Sequence, residues 1–325
     1  MKKNIKIKLD SHWGSSLKLV LLDDSPMSVF VDSTVSEWFD AKHRITSEKE
    51  IQMLNSFEVK KCCFCNSTLI QKNGHTKNRL QRYKCKQCNK RFTVITNTIF
   101  DSHKIPISEW IEYLLHLFEF HSISSSSRDN RNSQSTGEYW IKKIFMVLKH
   151  YQDNIVLSGN VYFDETYFKL IKSDIKKKEL TGICVGVARD DENILMLNEN
   201  VRKESFKSTY NFFGKRITKG SKLIHDGNYS HNILISKLNL IDESHPFKKT
   251  KLLDNNDNPL EPINEVHRMM KLFIKNHGSF KRDNLQDWLN LISFILNKPN
   301  NRYEKVAEFI KMAIYNKKCI RFREK

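Results

Sequence analysis

Cys62-x-x-Cys65 and Cys85-x-x-Cys88 are two CxxC turns with 19 residues, Asn66 to Lys84, between them. A tetrahedral zinc site needs four soft thiolates, and each such turn delivers two from one tight bend with backbone N–H groups aimed at the sulfurs. Five of the seven cysteines fall between Cys62 and Cys88, a clustering that points to metal rather than disulfides. Four cysteines leave no open position for a substrate, so this zinc is expected to be structural. Cys63 sits inside the first turn, where it either competes as a ligand or points away, and His75 reads as a solvated residue of the intervening loop.

A second chemistry is written in carboxylates. Val161-Tyr162-Phe163 is a short apolar run that reads as a strand closing on Asp164 and Glu165, and Leu223-Ile224-His225 closes on Asp226. Open α/β sheets put their chemistry at strand ends, where the backbone is rigid and the edge meets solvent. Two aspartates from separate strands are suited to hard divalent cations, and each alone equally suits the start of a turn. Further on, Ile263, Val266, Met270, Phe273 and Ile274 form the apolar stripe of a helix, while Asn264, His267 and Lys271 recur at i, i+3 and i+7 on another face.

The charge says what these groups work on. Lysine and arginine number 55 against 37 acidic residues, a formal net charge of +18, and such a field attracts polyanions, nucleic acid foremost. From Lys60 to Arg91 there are ten Lys or Arg and no Asp or Glu. Arg79, Arg82, Lys84, Lys86, Lys90 and Arg91, interleaved with Tyr83 and Phe92, are the candidates to lie along a phosphate backbone, the alternative being a ribbon used for protein contacts. Mean hydropathy is -0.55, the basic start MKKNIKIKLD leads into no apolar core of a signal, and the longest apolar runs, such as Trp288 to Leu296, fall short of the roughly 18 residues of a membrane helix. A cytoplasmic protein with no membrane partner is expected.

The elements that must position these groups can be read from periodicity. Residues 1–57 carry alternating apolar positions at Leu17–Leu22 and Val29–Val31, then a polar helical run from Ser47 to Phe57, and have no assignable role. The zinc ribbon occupies 58–100. Residues 101–152 are helical: Pro106 opens a helix through Phe120 with Trp110, Leu114, Leu117 and Phe118 on one stripe, and Glu138 to His150 supplies its partner. Ser122 to Gly137 between them is either a linker or the short helix and turn of a helix-turn-helix whose recognition helix begins near Thr136. From 153 to 300, strands at Val161–Phe163, Gly182–Ala188, Ile194–Leu197 and Lys222–Ile224 come first in hairpin order and then alternate with helices at Ser208–Ile217 and Ser230–Leu240. That order predicts a mixed sheet, and the whole a multi-domain α/β protein. Asn255–Pro262 is a loop; Ile263–Asn276, Asp283–Leu296 and Tyr303–Tyr315 are helical, the last with a basic tail within 301–325.

Taken in order, these residues resemble the zinc-ribbon transposases of bacterial insertion sequences, a branch of the DDE superfamily with an RNase H-like catalytic domain. The resemblance runs from Lys61 to Ile295. It is carried by the two CxxC turns, Phe92-Thr93, Asn97-Thr98-Ile99-Phe100, His103-Lys104-Ile105-Pro106 leading to Trp110, Asp164-Glu165-Thr166-Tyr167, His225-Asp226-Gly227 with Tyr229, and Asn264 to Lys271 with Phe273. In that family the first Asp ends the first strand, the second ends the fourth, and the third ligand sits on a late helix seven residues before a Lys. The resemblance therefore implies Asp164, Asp226, Asn264 and Lys271 as the catalytic set, a variant with Asn at the third place. Adjacent Glu265 is the alternative, about 100° away around the helix and off the Lys271 stripe. The family usually has Pro where Cys63 stands.

What the resemblance implies is phosphoryl transfer with two metal ions, magnesium or manganese, held by Asp164, Asp226 and Asn264, with Lys271 positioning phosphate. One ion activates water and then a DNA 3′-hydroxyl, and the other stabilises the leaving oxygen. The expected partners are double-stranded DNA, as transposon ends and target, and further copies of the chain in an active homo-oligomer at the bacterial nucleoid. Two other readings stand beside it: a transposase-derived DNA-binding protein without catalysis, and a zinc-ribbon transcription regulator, which leaves Asp164, Asp226 and the Lys271 stripe unexplained.

Overall fold

The structure is a computed structural model and describes residues 4–6, 18–20, 24–37, 47–101, 105–171, 180–199, 203–277 and 282–318. In chain order its elements are β1 (Asn4–Lys6), β2 (Lys18–Val20), α1 (Pro26–Glu37), α2 (Glu48–Ser56), β3 (Ile70–His75), β4 (Gln81–Cys85), β5 (Arg91–Phe92), α3 (Ile107–Phe118), α4 (Ile123–Asp129) and α5 (Gln134–Leu148). There follow β6 (Asn160–Ile171), β7 (Leu180–Arg189), β8 (Ile194–Asn198), α6 (Phe206–Phe213), β9 (Lys222–His225), α7 (Asn232–Leu238), β10 (Ile241–Ser244), α8 (Phe247–Thr250), α9 (Glu261–His277), α10 (Leu285–Leu296) and α11 (Arg302–Tyr315). The chain divides into two compact units, Met1–Lys143 with Pro299–Lys325, and Ile144–Lys298. No described helix is long and apolar enough to cross a membrane.

In the first unit, β3, β4 and β5 form a three-stranded antiparallel sheet beside the cysteine turns. Helix α1 packs on α2, α3 and α11. The residues around Val29–Val31, read as alternating, are helical instead: Phe30 and Val31 are buried neighbours on α1, and packing against three helices overrides a weak local pattern. Of Leu17–Leu22 only β2 is described; His103, Lys104 and the tail 319–325 lie outside the described residues. The stripe of α3 is buried as its spacing requires, with Trp110 stacked on Trp140 of α5 at 4.2 Å between ring centroids and edge-on to Phe100 at 5.5 Å. The segment Ser122–Gly137 is not a bare linker, because Ser122 caps α4 by accepting from Ser125 N, and α5 starts five residues after α4 ends.

The N-cap of helix α3 is Pro106, whose side chain offers no hydrogen bond to cap it. The cap comes from another helix: Ile107 N donates to Glu50 Oε1 at 3.2 Å. Burial drives the Glu50 carboxyl up to about 7 against the pull of the Ile107 and Ser108 amides. The folded chain thus holds a proton on Glu50 between about pH 4.5 and 7 that the unfolded chain has released. Stability is highest at the acid side of that window and falls as pH rises through it, by about 3 kcal/mol for this group. Thermal unfolding between pH 4.5 and 7.5 should show that slope reduced in Glu50→Gln, and equal slopes in variant and wild type would refute the assignment.

The second unit is a five-stranded mixed sheet in the order β10-β9-β6-β7-β8. β6, β7 and β8 are antiparallel neighbours; β9 pairs parallel with β6, and β10 parallel with β9. One face, through Val161, Phe163, Ala188, Leu195 and Leu223, packs on Phe213 of α6 and Leu234 and Leu238 of α7. Helix α9 packs on β6 and β7, and α10 on β8.

Three expectations change. The first strand does not end at Asp164 but runs on to Ile171, because β7 pairs with it residue for residue from Tyr162↔Arg189 to Ile171↔Leu180. The carboxylates at 164 and 165 are tolerated in mid-strand because each face gives them polar company. The helix expected over Ser230–Leu240 spans Asn232–Leu238 and stops at Asn239, which takes φ 50, after which Ile241–Ser244 forms an edge strand that its polar composition concealed. The helix expected over Ser208–Ile217 is Phe206–Phe213, started by a Ser205/Ser208 capping box.

Candidate active site and metal centre

Each cysteine turn is built alike. Cys62 N donates to Ser67 O at 2.8 Å and Cys85 N to Lys90 O at 3.0 Å, closing two equivalent loops. The residues that follow the turns, Asn66 and Asn89, take φ 59 and 57, a left-handed conformation that Asn tolerates better than most. Phe64 N and Cys88 N point at Cys62 Sγ (3.4 Å) and Cys85 Sγ (3.5 Å). The backbone N–H of Cys88 lowers the Cys85 thiol to about 6.

All four sulfurs of Cys62, Cys65, Cys85 and Cys88 lie within 4.8 Å of one another, with Cys62–Cys88 at 3.7 Å and Cys65–Cys85 at 3.6 Å. Zn–S bonds of 2.3 Å in a tetrahedron set the S···S edge at about 3.8 Å, so the set fits zinc. Cys63 is not in it; burial, then neighbouring Cys62, pushes its thiol up to about 11.

The six basic residues singled out in this module do not act as one row. Lys84 pairs across the sheet with Arg91, and Tyr83 with Phe92; strand alternation puts Arg82, Lys84 and Arg91 on one face and Tyr83 stacked on Phe92 (5.7 Å) on the other. Lys86 and Lys90 sit at the second cysteine turn, exposed, with Lys90 Nζ over the Phe64 ring at 4.7 Å. Arg79 stands apart at the β3–β4 turn in an exposed ion pair with Glu48 at 3.5 Å.

The carboxylates meet through register. Phe163↔His225 is the last pair of the parallel β6–β9 ladder, so Asp164 on β6 and Asp226, the residue after β9, come next and emerge side by side. Burial first, then Asp226 and Glu165, push Asp164 up to about 7. Asp164 Oδ1 accepts from Glu165 N at 2.9 Å and Oδ2 lies 3.5 Å from His267 Nδ1 on α9. Asp226 Oδ1 accepts from Asn228 N at 2.8 Å, a turn that needs Gly227 at φ 83.

Burial and Lys271 lower His267 to about 4, so it meets Asp164 as a neutral imidazole and brings no charge. Two crowded carboxylates suit a divalent cation, although His231 Nδ1 also lies 3.8 Å from Asp226 Oδ1. His267 thus brings α9 against Asp164; on the same helix Asn264 is half-buried and Lys271 exposed. Glu265 turns elsewhere, 3.7 Å from Arg189 Nη1, which also donates to Pro262 O at 3.1 Å.

On the opposite face of the sheet lies a string that sequence reasoning missed. Glu165 accepts at 3.0 Å from His231 Nε2, His231 Nδ1 is 2.7 Å from His225 Nδ1, and His225 Nε2 is 3.0 Å from Asp242 Oδ1. Both imidazoles and Glu165 are almost fully buried. Glu199 of the strand edge beyond β8 is buried nearby, pushed up to about 7 by burial, with Glu165 adding to it and Ser208 opposing. Glu165 and His225 flank Asp164 and Asp226 in the chain and were legible as neighbours; His231 and Asp242 come from turns and an edge that carry no such signal.

No protein-family model and no curated protein matches this chain. Among solved structures it is similar to a chain of the simian T-cell lymphotropic virus intasome in complex with PP2A regulatory subunit B56 gamma, at 12% identity and a TM-score of 0.32, over 60% of this chain and 74% of that one. It is similar to the Mos1 strand transfer complex at 11% and 0.30, over 64% and 78%, and to the mariner Mos1 paired-end complex with Mg at 12% and 0.28, over 66% and 79%. At TM-scores this low these likenesses establish neither a fold nor an activity for this chain.

Proposed function

We propose that this chain is a transposase of the DDE type in its Asn variant, cutting DNA at the ends of an insertion sequence and joining those ends to target DNA. The observation that carries the reading is the side-by-side emergence of Asp164 and Asp226 at the end of the parallel β6–β9 ladder, with His267 of α9 3.5 Å from Asp164. Asp164, Asp226 and the amide oxygen of Asn264 would hold magnesium or manganese. Cations bound there would supply charge to activate an attacking hydroxyl and to stabilise a leaving oxygen on phosphorus. Lys271 would position a DNA phosphate, and neutral His267 would orient Asp164.

The Cys62, Cys65, Cys85 and Cys88 module folds around structural zinc, and its Arg82, Lys84 and Arg91 face tracks the DNA backbone. The three helices α3, α4 and α5 serve as a helix-turn-helix that reads the element end, and copies of the chain assemble on paired ends. The ribbon over 58–100, the helical region over 101–152 and the catalytic region over 153–300 divide the work.

Labelled DNA from the flanks of the coding locus, incubated with purified chain and Mg2+ or Mn2+, should be nicked at a defined position, and Asp164→Ala should abolish nicking while leaving binding intact. Equal cleavage by wild type and variant would overturn the enzymatic reading. A second reading, a DNA-binding protein that has lost catalysis, is favoured by the neutral amide at Asn264; retention of binding without cleavage in the wild type would select it.

A further inference from the structure

Helix α3 ends in a Schellman motif. Phe120 N donates to Leu117 O and His121 N to His116 O, both at 3.0 Å, with Phe120 at φ 66. Glycine is usual at that left-handed position and an aromatic residue is disfavoured there. The motif brings together the side chains at its two hydrogen-bonded ends, a contact that is commonly apolar. Here both are imidazoles: His116 Nδ1 is 3.1 Å from His121 Nδ1, with the rings tilted by 55°. Asp129 in the last turn of α4 brings Oδ2 to 3.8 Å from the same His116 Nδ1, and the three atoms all lie within 4.8 Å of one another.

Zn–N bonds of 2.0–2.1 Å in a tetrahedron separate two nitrogens by about 3.3 Å, close to the spacing of the imidazoles. Asp129 is 42% exposed on its side chain, its Oδ2 accepts from Ser125 Oγ at 3.4 Å, and at 3.8 Å from His116 Nδ1 it stands near the spacing of a third ligand edge. Two imidazoles and one carboxylate suit zinc and the neighbouring first-row divalent ions. We propose that His116, His121 and Asp129 form a second transition-metal site, with a remaining position open to water, that clips α4 to the end of α3. The clip has a route to α5, because α5 crosses α4 so closely at Gly137 that a Cβ there would collide with the Ser127 side chain. The proposal is independent of the reaction assigned above and of the four-cysteine site.

Metal content of the full chain, loaded with zinc in excess Mg2+ and freed of loose metal, tests it. The wild type should hold about two zinc ions per chain, and His121→Ala and Asp129→Asn about one. Asp129→Asn keeps shape and hydrogen bonding, so a matching loss in it separates a lost ligand from a misfolded helix, with far-UV circular dichroism as the check. Cobalt gives a second readout: the wild-type spectrum should be the sum of a thiolate-rich and a thiolate-free component, His121→Ala losing the thiolate-free one and Cys85→Ser the other. Equal zinc content and equal cobalt spectra in wild type and His121→Ala would overturn the proposal, whatever happens at the cysteines.

Discussion

Asp226→Asn is expected to cut DNA cleavage by about a thousandfold or more, while making the metal-free protein more stable. Both effects come from one geometry. Asp164 and Asp226 are neighbours across the β6–β9 ladder, and Asp226 is the largest charged contributor to the rise of Asp164 to about 7. With no cation bound, the two carboxylates repel one another in a half-buried place, and removing one charge relieves the other. Both side chains keep some solvent, at 26% and 32% exposed, so the relief is about 1 kcal/mol, or about 2 to 4 °C in the melting of the second unit. Bound divalent ions reverse the sign, since the same pair then supplies the ligands, and losing several kcal/mol of charge stabilisation corresponds to about three orders of magnitude in rate. Melting with and without Mn2+, beside a nicking assay, reads all of this. A variant that melts lower without metal and still cleaves would show that the pair does not share a cation.

The second large effect belongs to the thiolates. Cys85→Ser, or chelation of zinc, should unfold the ribbon while the second unit keeps its cooperative melt. The core around the sulfurs is small: its buried cluster consists of Cys62, Cys85 and Phe92, with Val59, Ile70 and Tyr83 partly covered. So small a core cannot offset the conformational entropy of the strands, whereas zinc in a four-cysteine site contributes on the order of 10 kcal/mol to folding. Hydrogen exchange should show β3 and β4 losing protection together, with β6 and β7 unchanged. Protection of β3 that survives chelation would remove zinc from the account of this fold.

Much of this was legible in the chain because some constraints are local. Two CxxC turns separated by 19 residues bring their own geometry wherever they occur, and the 3.6-residue spacing of Trp110, Leu114 and Leu117 needs a helix. The mixed sheet could be expected from the order of the runs around Val161, Gly182, Ile194 and Lys222. Register was not legible. That Phe163 pairs with His225, while β6 runs on against β7, is a matter of long-range pairing, and without it the strand at Asp164 reads as ending where it continues. Edge strand β10 was hidden by its polar residues, which an edge accepts. Glu50 as the cap of α3, 57 residues away, and the His231 link to Glu165, 66 residues away, are products of tertiary closure that no window of sequence contains.

Asp164 and Glu165 are consecutive acids on one strand, and pleating sends them to opposite sides. The sheet here is a partition one peptide thick, with a partly exposed pair of aspartates on one side and a buried pair of imidazoles on the other. Moving either acid one place along the chain would exchange the two compartments, placing the dry acid in water and the wet one in the seal. A drift of this strand by a single rung is therefore a functional lesion even where every helix still packs, and insertions are best tolerated beyond the ladder.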